Sequence, residues 1–288
     1  MNPKICQIVT DRIVARIEQT GLLPWQRPWR GYLSSNTPHN LVSKKPYKGI
    51  NQLLLAGGET PYWLSFKQAE KLGGKVKKGE HGSPCIFWLW GEKEDKNGNT
   101  KKTATMRYYT VFNLSQCEGI QMPPLGIDGE AFDPIADAES AVANMPNPPK
   151  IEHGEARAYY VGGLEDRVNM PIRESFKDAH GYYAVLFHEL AHATGHHTRL
   201  NRFADGFTSY FGTESYAQEE LVAELAASFI VADLGLETPA TFENSATYLK
   251  GWADRLRKDP QAIVKAASAA QKAHDYILRV KTENDQSA

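Results

Sequence analysis

The sequence has no apolar run near the length of about 18 residues that a membrane-spanning helix needs, so no membrane span is predicted. Its first residues carry charges where a signal peptide has an apolar stretch, which predicts a cytoplasmic protein. Cysteine is scarce, with three well-separated residues at Cys6, Cys85 and Cys117. They form neither a disulfide framework nor a Cys-x-x-Cys site, so we expect free thiols in a reducing compartment.

The composition shows no extreme. Hydrophobic residues make up 41% of the chain and charged residues 23%, as in ordinary folded proteins. This balance excludes a wholly disordered chain, a collagen and a continuous coiled coil. A length of 288 residues corresponds to one or two domains.

The net charge of −1 conceals two oppositely charged parts. Residues 1–125 contain 18 lysines and arginines against 9 acidic residues, a net +9, whereas the remainder has 15 against 25, a net −10. Five of the six tryptophans also lie in the first part. Because a basic, aromatic-rich segment is typical of nucleic-acid binding and an acidic one is not, the two parts are predicted to differ in partner or chemistry.

The first part combines helices with strands. Apolar residues at helical spacing predict a first helix that ends at Gly21. Residues 86–90 and 106–113 have strand patterns, and Asn97-Gly98 between them is typical of a hairpin turn. We therefore predict one mixed α/β domain over residues 1–122.

The second part is predicted to be mainly helical. Residues 123–150 are rich in proline around one short helical stretch and are interpreted as a linker or wrapping segment. Two short strand patterns follow at 158–161 and 167–170, and then four helices, of which the first is apolar on nearly every face and should be buried. The predicted fold class is thus α+β with two domains, the second a helical domain with a small sheet over 151–288.

The second part contains the pattern His188-Glu189-Leu190-Ala191-His192. Positions i and i+4 of a helix share one face, so the two histidines can converge on one zinc ion. Glu189 lies beside them, where it can take a proton from a zinc-bound water molecule, and it is the predicted catalytic residue. Because so short a pattern can arise by chance, its surroundings must decide; here the apolar helix around it favours a metal site.

A catalytic zinc site needs a third protein ligand and one open position. A third histidine ten residues after the first is one known arrangement, and it fails because Thr198 occupies that position. His196 and His197 are out of register and are interpreted as polar residues at a helix end. A glutamate on a later helix is the other source of a third ligand.

The later helix contains Glu219, Glu220 and Glu224. Glu220 and Glu224 are four residues apart and share one face, so we predict Glu220 as the third ligand and Glu224 as the residue that orients a ligand histidine. Glu219 is the alternative ligand, and an acidic helix start that only favours the helix dipole is the competing interpretation. The predicted cofactor is Zn²⁺, with another divalent ion such as Mn²⁺ as the alternative.

Binding of single-stranded nucleic acid needs cations for the phosphates and aromatic faces for the bases. The first part interleaves both, and it lacks a helix-turn-helix, zinc-finger or RNP motif, which argues against base-specific readout of a duplex. Trp88 and Trp90 alternate with Phe87 and Leu89, so some of the aromatic residues must instead be buried. The predicted DNA contacts are Trp25, Arg27, Trp29, Arg30, Lys44, Lys45, Tyr47, Lys48, Lys75, Lys77, Lys78 and Arg107.

Several longer motifs match a known family. In the first part they include Pro24-Trp25-Gln26-Arg27-Pro28-Trp29, Pro46-Tyr47-Lys48-Gly49-Ile50-Asn51 and Thr110-Val111-Phe112-Asn113. In the second part they include the histidine motif extended to His196, Arg199-Leu200-Asn201-Arg202, and the segment from Tyr216 to Glu224. In these motifs the chain resembles the ArdC-type antirestriction proteins of conjugative plasmids, whose N-terminal domain is shared with TraC-type plasmid primases.

The resemblance covers nearly the whole chain. It implies an N-terminal domain that binds single-stranded DNA and a C-terminal zincin-like metallopeptidase domain. The implied role is to protect incoming plasmid DNA from host restriction during conjugation. The chain ends soon after the metallopeptidase-like region, which argues against a full primase.

Three functional hypotheses follow. The first is a DNA-binding antirestriction protein with a metallopeptidase-like domain. The second is a cytoplasmic zinc-dependent protease that acts on a host protein, with the basic domain only localising it to DNA. The third is a metal-stabilised fold without catalysis. Single-stranded DNA is the predicted partner, no membrane is involved, and the oligomeric state is left open.

Overall fold

The computed structural model describes residues 1–20, 37–56, 58–94, 100–121, 123, 134–176, 178–203, 214–236 and 246–280. Over these ranges the chain forms two compact units. The first contains the described residues up to 123 together with 246–264, and the second contains those between 134 and 236 together with 265–280. None of the helices in these ranges has the length and apolar character that a membrane span requires.

Both units combine helices with strands, which confirms the predicted α+β class. In the described chain the helices are α1 (Pro3–Thr20), α2 (Ile50–Leu55), α3 (Phe66–Lys71), α4 (Pro134–Asn144), α5 (Ala179–Ala193), α6 (Glu214–Asp233), α7 (Ala246–Lys258) and α8 (Ala262–Ile277). The strands are β1 (His39–Asn40), β2 (Tyr62–Ser65), β3 (Lys75–Val76), β4 (Ser83–Glu94), β5 (Thr100–Asn113), β6 (Cys117–Glu118), β7 (Lys150–His153), β8 (Tyr159–Val161) and β9 (Arg167–Met170).

The first unit is built on a long antiparallel hairpin. Strands β4 and β5 pair continuously, from Ser83 opposite Val111 to Glu94 opposite Thr100. Both are rich in aromatic and β-branched residues, which pack well on a pleated surface. Two further strands give the sheet order β1-β2-β5-β4. The predicted strand pair is therefore confirmed, while its turn at Asn97-Gly98 lies outside the described residues.

Helix α1 packs into the same unit. It buries the residues whose spacing predicted it, namely Ile5, Val9, Ile13 and Ile17. Helix α7 packs against α1, and just beyond α7 the carbonyl oxygen of Pro260 accepts a hydrogen bond of 3.1 Å from the Thr10 hydroxyl. Helix α7 thus belongs to the first unit although it follows the histidine motif in the sequence. The predicted domains, divided after residues 122 and 150, are consecutive segments and do not place α7 in the first unit.

The second unit packs a small sheet against two long helices. The strand order is β7-β9-β8, with β9 parallel to β7 and antiparallel to β8. Helix α5 is buried on nearly every side and contributes Tyr182, Phe187 and Leu190 to a core that includes Ile230 of α6. The two predicted strands and the predicted buried helix are confirmed. Helix α4, which lies within the predicted linker, is also part of this unit.

A buried charged cluster joins α6 to α8 within the second unit. His274 on α8 is almost fully buried, with its Nε2 3.0 Å from Asp233 Oδ2 and its Nδ1 2.9 Å from Asp275 Oδ1. Burial alone would lower the pKa of His274, but the two carboxylates outweigh it and raise that pKa above its ordinary value. The folded state therefore favours the imidazolium form.

This arrangement predicts how stability depends on pH. Because the pKa of His274 is raised above the value of about 6.5 in the unfolded chain, its stabilisation is fully present below that pH and is lost as the pH rises through the folded-state pKa. We expect His274→Gln to lower the free energy of unfolding by about 1–3 kcal/mol at about pH 6, and by less at about pH 9. Urea unfolding of both proteins at the two pH values measures this difference, and an equal loss at both contradicts the prediction.

Candidate metal centre and nucleic-acid surface

The histidine motif lies on the buried helix α5. Asp178 caps the helix, its side chain accepting a hydrogen bond of 2.8 Å from the Gly181 amide. Helical spacing brings the Nε2 atoms of His188 and His192 to within 3.2 Å of each other. The predicted convergence of the two imidazoles is therefore present in the structure.

Helix α6 supplies the third side chain of the centre. One carboxylate oxygen of Glu220 lies 3.6 Å from the Nε2 of His188, and the other lies 3.4 Å from the Nε2 of His192. Among the described residues, His188, His192 and Glu220 form the group whose ligand atoms all lie within 4.8 Å of one another. The three residues predicted as metal ligands are thus brought together.

The geometry of this group suits one tetrahedral ion. Two ligand atoms that each lie about 2.1 Å from such an ion are about 3.4 Å from each other. The two imidazole nitrogens are 3.2 Å apart, and each lies 3.4 to 3.6 Å from a different oxygen of Glu220. With one ligand atom taken from each residue, the three atoms all lie within 4.8 Å of one another. Two imidazoles and one carboxylate are also the donor set of catalytic zinc sites, which leave the fourth position open. The residues present therefore fit a divalent metal ion.

Glu189, the predicted catalytic residue, lies next to the three ligand side chains. It is buried, and its carboxylate accepts a main-chain hydrogen bond from Tyr160 on β8. Burial raises the pKa of Glu189, while the neighbouring imidazoles of His188 and His192 act in the opposite direction. The hydrogen bond fixes a carboxylate of raised basicity at the edge of the centre.

Two residues that the sequence did not single out for this purpose hold His192 in place. Glu219 lies on the far side of the ring, with Oε1 3.4 Å from Nδ1 of His192. Two guanidinium nitrogens of Arg202 donate hydrogen bonds to the Glu219 carboxylate, at 2.6 and 3.2 Å. It also donates to the Ala191 carbonyl oxygen and to the Thr194 hydroxyl at the end of α5. The carboxylate that lies beside Nδ1 of His192 is therefore itself fixed by an arginine, an arrangement suited to orienting a ligand histidine.

The carboxylates around His192 change the pKa of its imidazole. Burial alone would lower the pKa of His192, but the carboxylates of Glu219 and Glu220 raise it to about 9. In turn, burial of Glu220 opposes ionisation, but both imidazoles lower its pKa well below the ordinary range. Burial raises the pKa of Tyr216 to about 12, and its hydrogen bond to Glu220 adds to this shift.

A tight loop after α5 brings Arg202 to the centre. The carbonyl oxygen of Gly195 accepts hydrogen bonds from the amides of Arg202 at 2.9 Å and Phe203 at 3.2 Å. A Cβ atom at Gly195 would lie only 2.3 Å from the Phe203 ring, so a side chain at this position would displace that ring. The glycine and the Arg199-Leu200-Asn201-Arg202 motif were visible in the sequence. The contact of Arg202 with Glu219, on the following helix, was not.

The remaining residues considered near the centre have other environments. Glu224, predicted to orient a ligand histidine, is half-buried one turn beyond Glu220, and its role stays a prediction. His196 is buried, with its ring nitrogens 2.8 Å from the Thr198 hydroxyl and 3.1 Å from the Gly163 carbonyl oxygen. His197 is exposed.

The contact between Glu219 and His192 predicts which of the two glutamates, Glu219 or Glu224, contributes to metal affinity by orienting a histidine. Partners that orient ligand histidines contribute about 10–100-fold to metal affinity. We expect Glu219→Gln to weaken Zn²⁺ binding by about that factor. Glu224→Gln, a matched change on the same helix, tests the orienting role predicted for Glu224. Competition with a chromophoric chelator measures both affinities. A larger effect of Glu224→Gln would assign the orienting role to Glu224 instead.

The predicted DNA contacts of the first unit fall into three groups. Four lie outside the described residues, namely Trp25, Arg27, Trp29 and Arg30. The cations that the structure describes are all exposed, namely Lys44, Lys45, Lys48, Lys75, Lys77, Lys78 and Arg107. Tyr47 corrects the prediction: its ring is 8% exposed and packs in a core with Leu55 and Trp63. Because it is buried, Tyr47 offers no face on which a base could stack.

The β4–β5 hairpin carries exposed aromatic residues that were not predicted as DNA contacts. Trp88 and Trp90 lie opposite Met106 and Ala104, and Tyr108 lies opposite Ile86, so all three aromatics share one face of the hairpin. Their exposed fractions are 37% for Trp88, 77% for Trp90 and 48% for Tyr108. Exposed rings of this size in a row are unusual on a protein surface without a partner.

Two known protein families match the chain. Residues 3–112 match the N-terminal domain of anti-restriction factor ArdC. Residues 136–269 match a family of zincin-like metallopeptidases. The second match includes the three metal-ligand candidates and Glu189.

Two DNA primases named TraC, both from Escherichia coli, are relatives of this chain. They are 34% and 32% identical to it, over 94% and 96% of its length. The chain spans only 26% of the first primase and 20% of the second. The relationship therefore concerns one segment of those longer proteins.

Two crystal structures of the antirestriction protein ArdC from the R388 plasmid resemble the whole chain. The metal-free structure is 38% identical, with a TM-score of 0.73, and the match covers 94% of this chain and 96% of that one. The Mn(II)-bound structure is 36% identical, with the same TM-score, and the match covers 95% and 97%. Because sequence and fold agree over nearly the full length of both chains, this protein belongs to the ArdC family of antirestriction proteins.

Proposed function

We propose that this protein binds single-stranded DNA without base specificity and protects incoming plasmid DNA from host restriction during conjugation. The observation that carries the proposal is the likeness to the R388 antirestriction protein over nearly the whole chain. The similarity to proteins named DNA primases adds support for a DNA partner.

The exposed aromatic residues of the hairpin support DNA binding through stacking. Trp88, Trp90 and Tyr108 offer three aromatic rings on one side of two paired strands. Base–aromatic stacking contributes about 1–3 kcal/mol per base and tolerates any sequence, because every base has an aromatic face. The exposed lysines and Arg107 of the same unit supply the charge that phosphates need.

Fluorescence anisotropy with labelled oligonucleotides tests the proposal on the whole chain. We expect similar affinity for single strands of different sequence, weaker binding to duplex DNA, and a log affinity that falls linearly with log salt concentration. Trp90→Ala should weaken binding by about 5–100-fold, the effect of one lost stacking contact. Phe66→Ala, an exposed aromatic outside the hairpin, is the matched control. A flat salt dependence, or an unchanged affinity of Trp90→Ala, contradicts the model of binding.

We further propose that the second unit binds one divalent ion through His188, His192 and Glu220, with zinc as the first candidate and manganese as the alternative. The spacing of the three side chains and the choice of donors support this assignment. Such an ion, when bound, supplies a Lewis acid. Glu189 is the residue to which we assign the acceptance of a proton from the attacking water molecule, because it is buried and held by Tyr160 beside the ligands.

A cytoplasmic zinc-dependent protease that cleaves a host protein is the second candidate function. It is favoured by one observation, the fixed position of Glu189 next to the ligand triad. Glu189→Gln separates the two candidates because it removes the proton acceptor and leaves every metal ligand in place. If protection depends on DNA binding alone, the variant still protects plasmid DNA. If protection depends on proteolysis, the variant loses protection while its metal content and DNA affinity stay unchanged.

The efficiency of plasmid transfer into restricting and non-restricting hosts measures protection. We expect Glu189→Gln to retain it and Trp90→Ala to lose it. Loss of protection in Glu189→Gln alone would reject the first candidate in favour of the protease. Equal transfer into both hosts without the protein would reject both candidates.

A further inference from the structure

The first unit contains a cavity of about 710 Å³ that takes no part in the features described above. One wall is the face of α1 that carries Arg12 and Arg16, on successive helical turns. The other walls come from the end of α2, from Trp63 on β2, from Asn113 at the end of β5 and from Gln116 in the turn that follows. A volume of this size is typical of sites for small organic ligands.

The two arginines bring like charges together at this cavity. Arg12 donates to the Ser83 hydroxyl at 2.6 Å, and Arg16 donates to the Ala56 carbonyl oxygen. Partial burial lowers the pKa of both guanidinium groups, and the charge of Arg12 lowers that of Arg16 further. Within the described chain, Arg12 forms no ion pair with a carboxylate. The Arg12 guanidinium is therefore held by a neutral acceptor and would gain from an anion.

The rest of the lining decides what kind of anion fits. Lys77 adds one positive charge to the lining, and the carboxylates of Glu59 and Glu80 add two negative charges. The amide of Asn113 already bonds to the Thr60 carbonyl oxygen at 2.7 Å, and that of Gln116 bonds to Glu80 at 2.8 Å. Because these amides are engaged, they offer little to distinguish one base from another.

We propose that this cavity holds a nucleotide by its phosphate, with Arg12 and Arg16 as the phosphate-binding residues and without selection of the base. Guanidinium groups bind phosphate oxygens through paired hydrogen bonds, and two on successive turns of one helix can reach the same phosphate. The volume exceeds that of a phosphate ion alone, so it leaves room for the sugar and base.

The nucleotide can come from two sources. It is either a free mononucleotide or one unit of a bound single strand, and only the second source rests on the proposed DNA-binding function. The two sources share the same phosphate chemistry. Separate measurements with a mononucleotide and with an oligonucleotide distinguish them.

Titration calorimetry with thymidine monophosphate tests the first source on the full chain. We expect Arg12→Gln and Arg16→Gln each to weaken binding by about tenfold or more, the effect of one lost charged hydrogen bond. Arg255→Gln, an exposed arginine of the same unit outside the cavity, should bind as the wild type does. Deoxyadenosine and deoxycytidine monophosphates should bind with the same affinity as the thymidine compound.

Anisotropy with a labelled oligothymidylate tests the second source. If only a strand binds, Arg12→Gln and Arg16→Gln should weaken it and reduce the slope of log affinity against log salt by about one each, while Arg255→Gln should not. Thermal unfolding verifies that each variant is folded, and Arg16→Lys, which keeps the charge but not the paired donors, replaces Arg16→Gln if that variant does not fold. Unchanged binding of both probes by the arginine variants overturns the inference, as does failure of the wild type to bind either. If the wild type binds the mononucleotide but no strand, the DNA-binding function fails and the cavity assignment stands.

Discussion

The His188→Ala protein is expected to lose high-affinity binding of Zn²⁺ together with the thermal stabilisation that the metal gives. His188 offers one of the three ligand atoms of the centre, and a zinc site with two protein ligands is far weaker. At a free metal concentration 100 times the dissociation constant, binding adds about 2.7 kcal/mol to the wild-type free energy of unfolding. This corresponds to a rise in Tm of about 5–10 °C for a unit of this size.

Differential scanning calorimetry with and without added Zn²⁺ measures the effect. The metal-free proteins should unfold at similar temperatures, because His188 is partly exposed and lies outside the contacts between Arg202, Glu219 and His192. Only the wild type should respond to the metal. An equal rise in Tm for both proteins would remove His188 from the ligand set.

The same centre predicts a pH dependence of metal affinity. Without metal the pKa of His192 is raised to about 9, so the imidazole must lose a proton before it can bind an ion. Affinity should therefore rise by about tenfold for each pH unit up to about pH 9 and level off above it. Titrations at a series of pH values measure the slope, and a flat profile between about pH 7 and 9 would contradict it.

The grouping of His188, His192 and Glu220 could be predicted because it depends on local spacing. His188 and His192 are one helical turn apart on a helix that the apolar pattern already indicated. Glu220 lies on the next long helix, and the packing of α5 against α6 only had to bring the two faces together. The contact of Glu219 with His192 could not be predicted in the same way. Arg202 holds the Glu219 carboxylate beside His192. The loop that positions Arg202 is closed by hydrogen bonds to the Gly195 carbonyl oxygen.

The first unit shows the same limit for surface residues. Tyr47 belongs to a basic segment that is typical of DNA contacts, yet its ring fills the core beside Trp63. Trp90 alternates with other apolar residues as a half-buried strand residue would, yet it is 77% exposed. Alternation assigns residues to the two faces of a strand. It does not show how far along the strand the covering layer extends.

The return of α7 to the first unit has a related cause. Its amphipathic pattern indicates a helix with one buried face but does not identify the surface that covers that face. Contact with α1 is made over more than 200 residues of sequence, including an ion pair between Arg257 and Glu18 at 2.5 Å. Such long-range pairing is decided by tertiary packing.

The largest effect on stability is expected from Arg199→Ala. The Arg199 side chain is 0% exposed and forms a paired salt bridge with Asp166, which also accepts a hydrogen bond of 2.8 Å from the Tyr160 hydroxyl. The same guanidinium donates to the carbonyl oxygens of Ala193 at 2.7 Å and Asn147 at 2.9 Å. It thus links the end of α5 to β8 and to the turn that enters β9.

Removal of Arg199 leaves these acceptors without their donor. Burial alone would raise the pKa of Asp166, and its bonds to Arg199 and Tyr160 keep that pKa below the ordinary value. Arg199→Ala therefore removes the main interaction that stabilises the charged carboxylate. Breaking a buried ion pair by removal of one partner costs about 3–5 kcal/mol. We therefore expect Arg199→Ala to lower the free energy of unfolding by that amount. Arg199→Lys should recover only part of it, because an ammonium group cannot form the paired bonds.

Urea unfolding monitored by circular dichroism measures the loss, with Lys150→Ala as the control in the same unit. The ion pair of Lys150 with Glu152 is on the surface and should contribute no more than about 1 kcal/mol. Similar losses for Arg199→Ala and Lys150→Ala would mean that the Arg199 network contributes no more than a surface pair. A large loss confined to Arg199→Ala would mean that the end of α5, and with it the position of the metal ligands, depends on this one buried arginine.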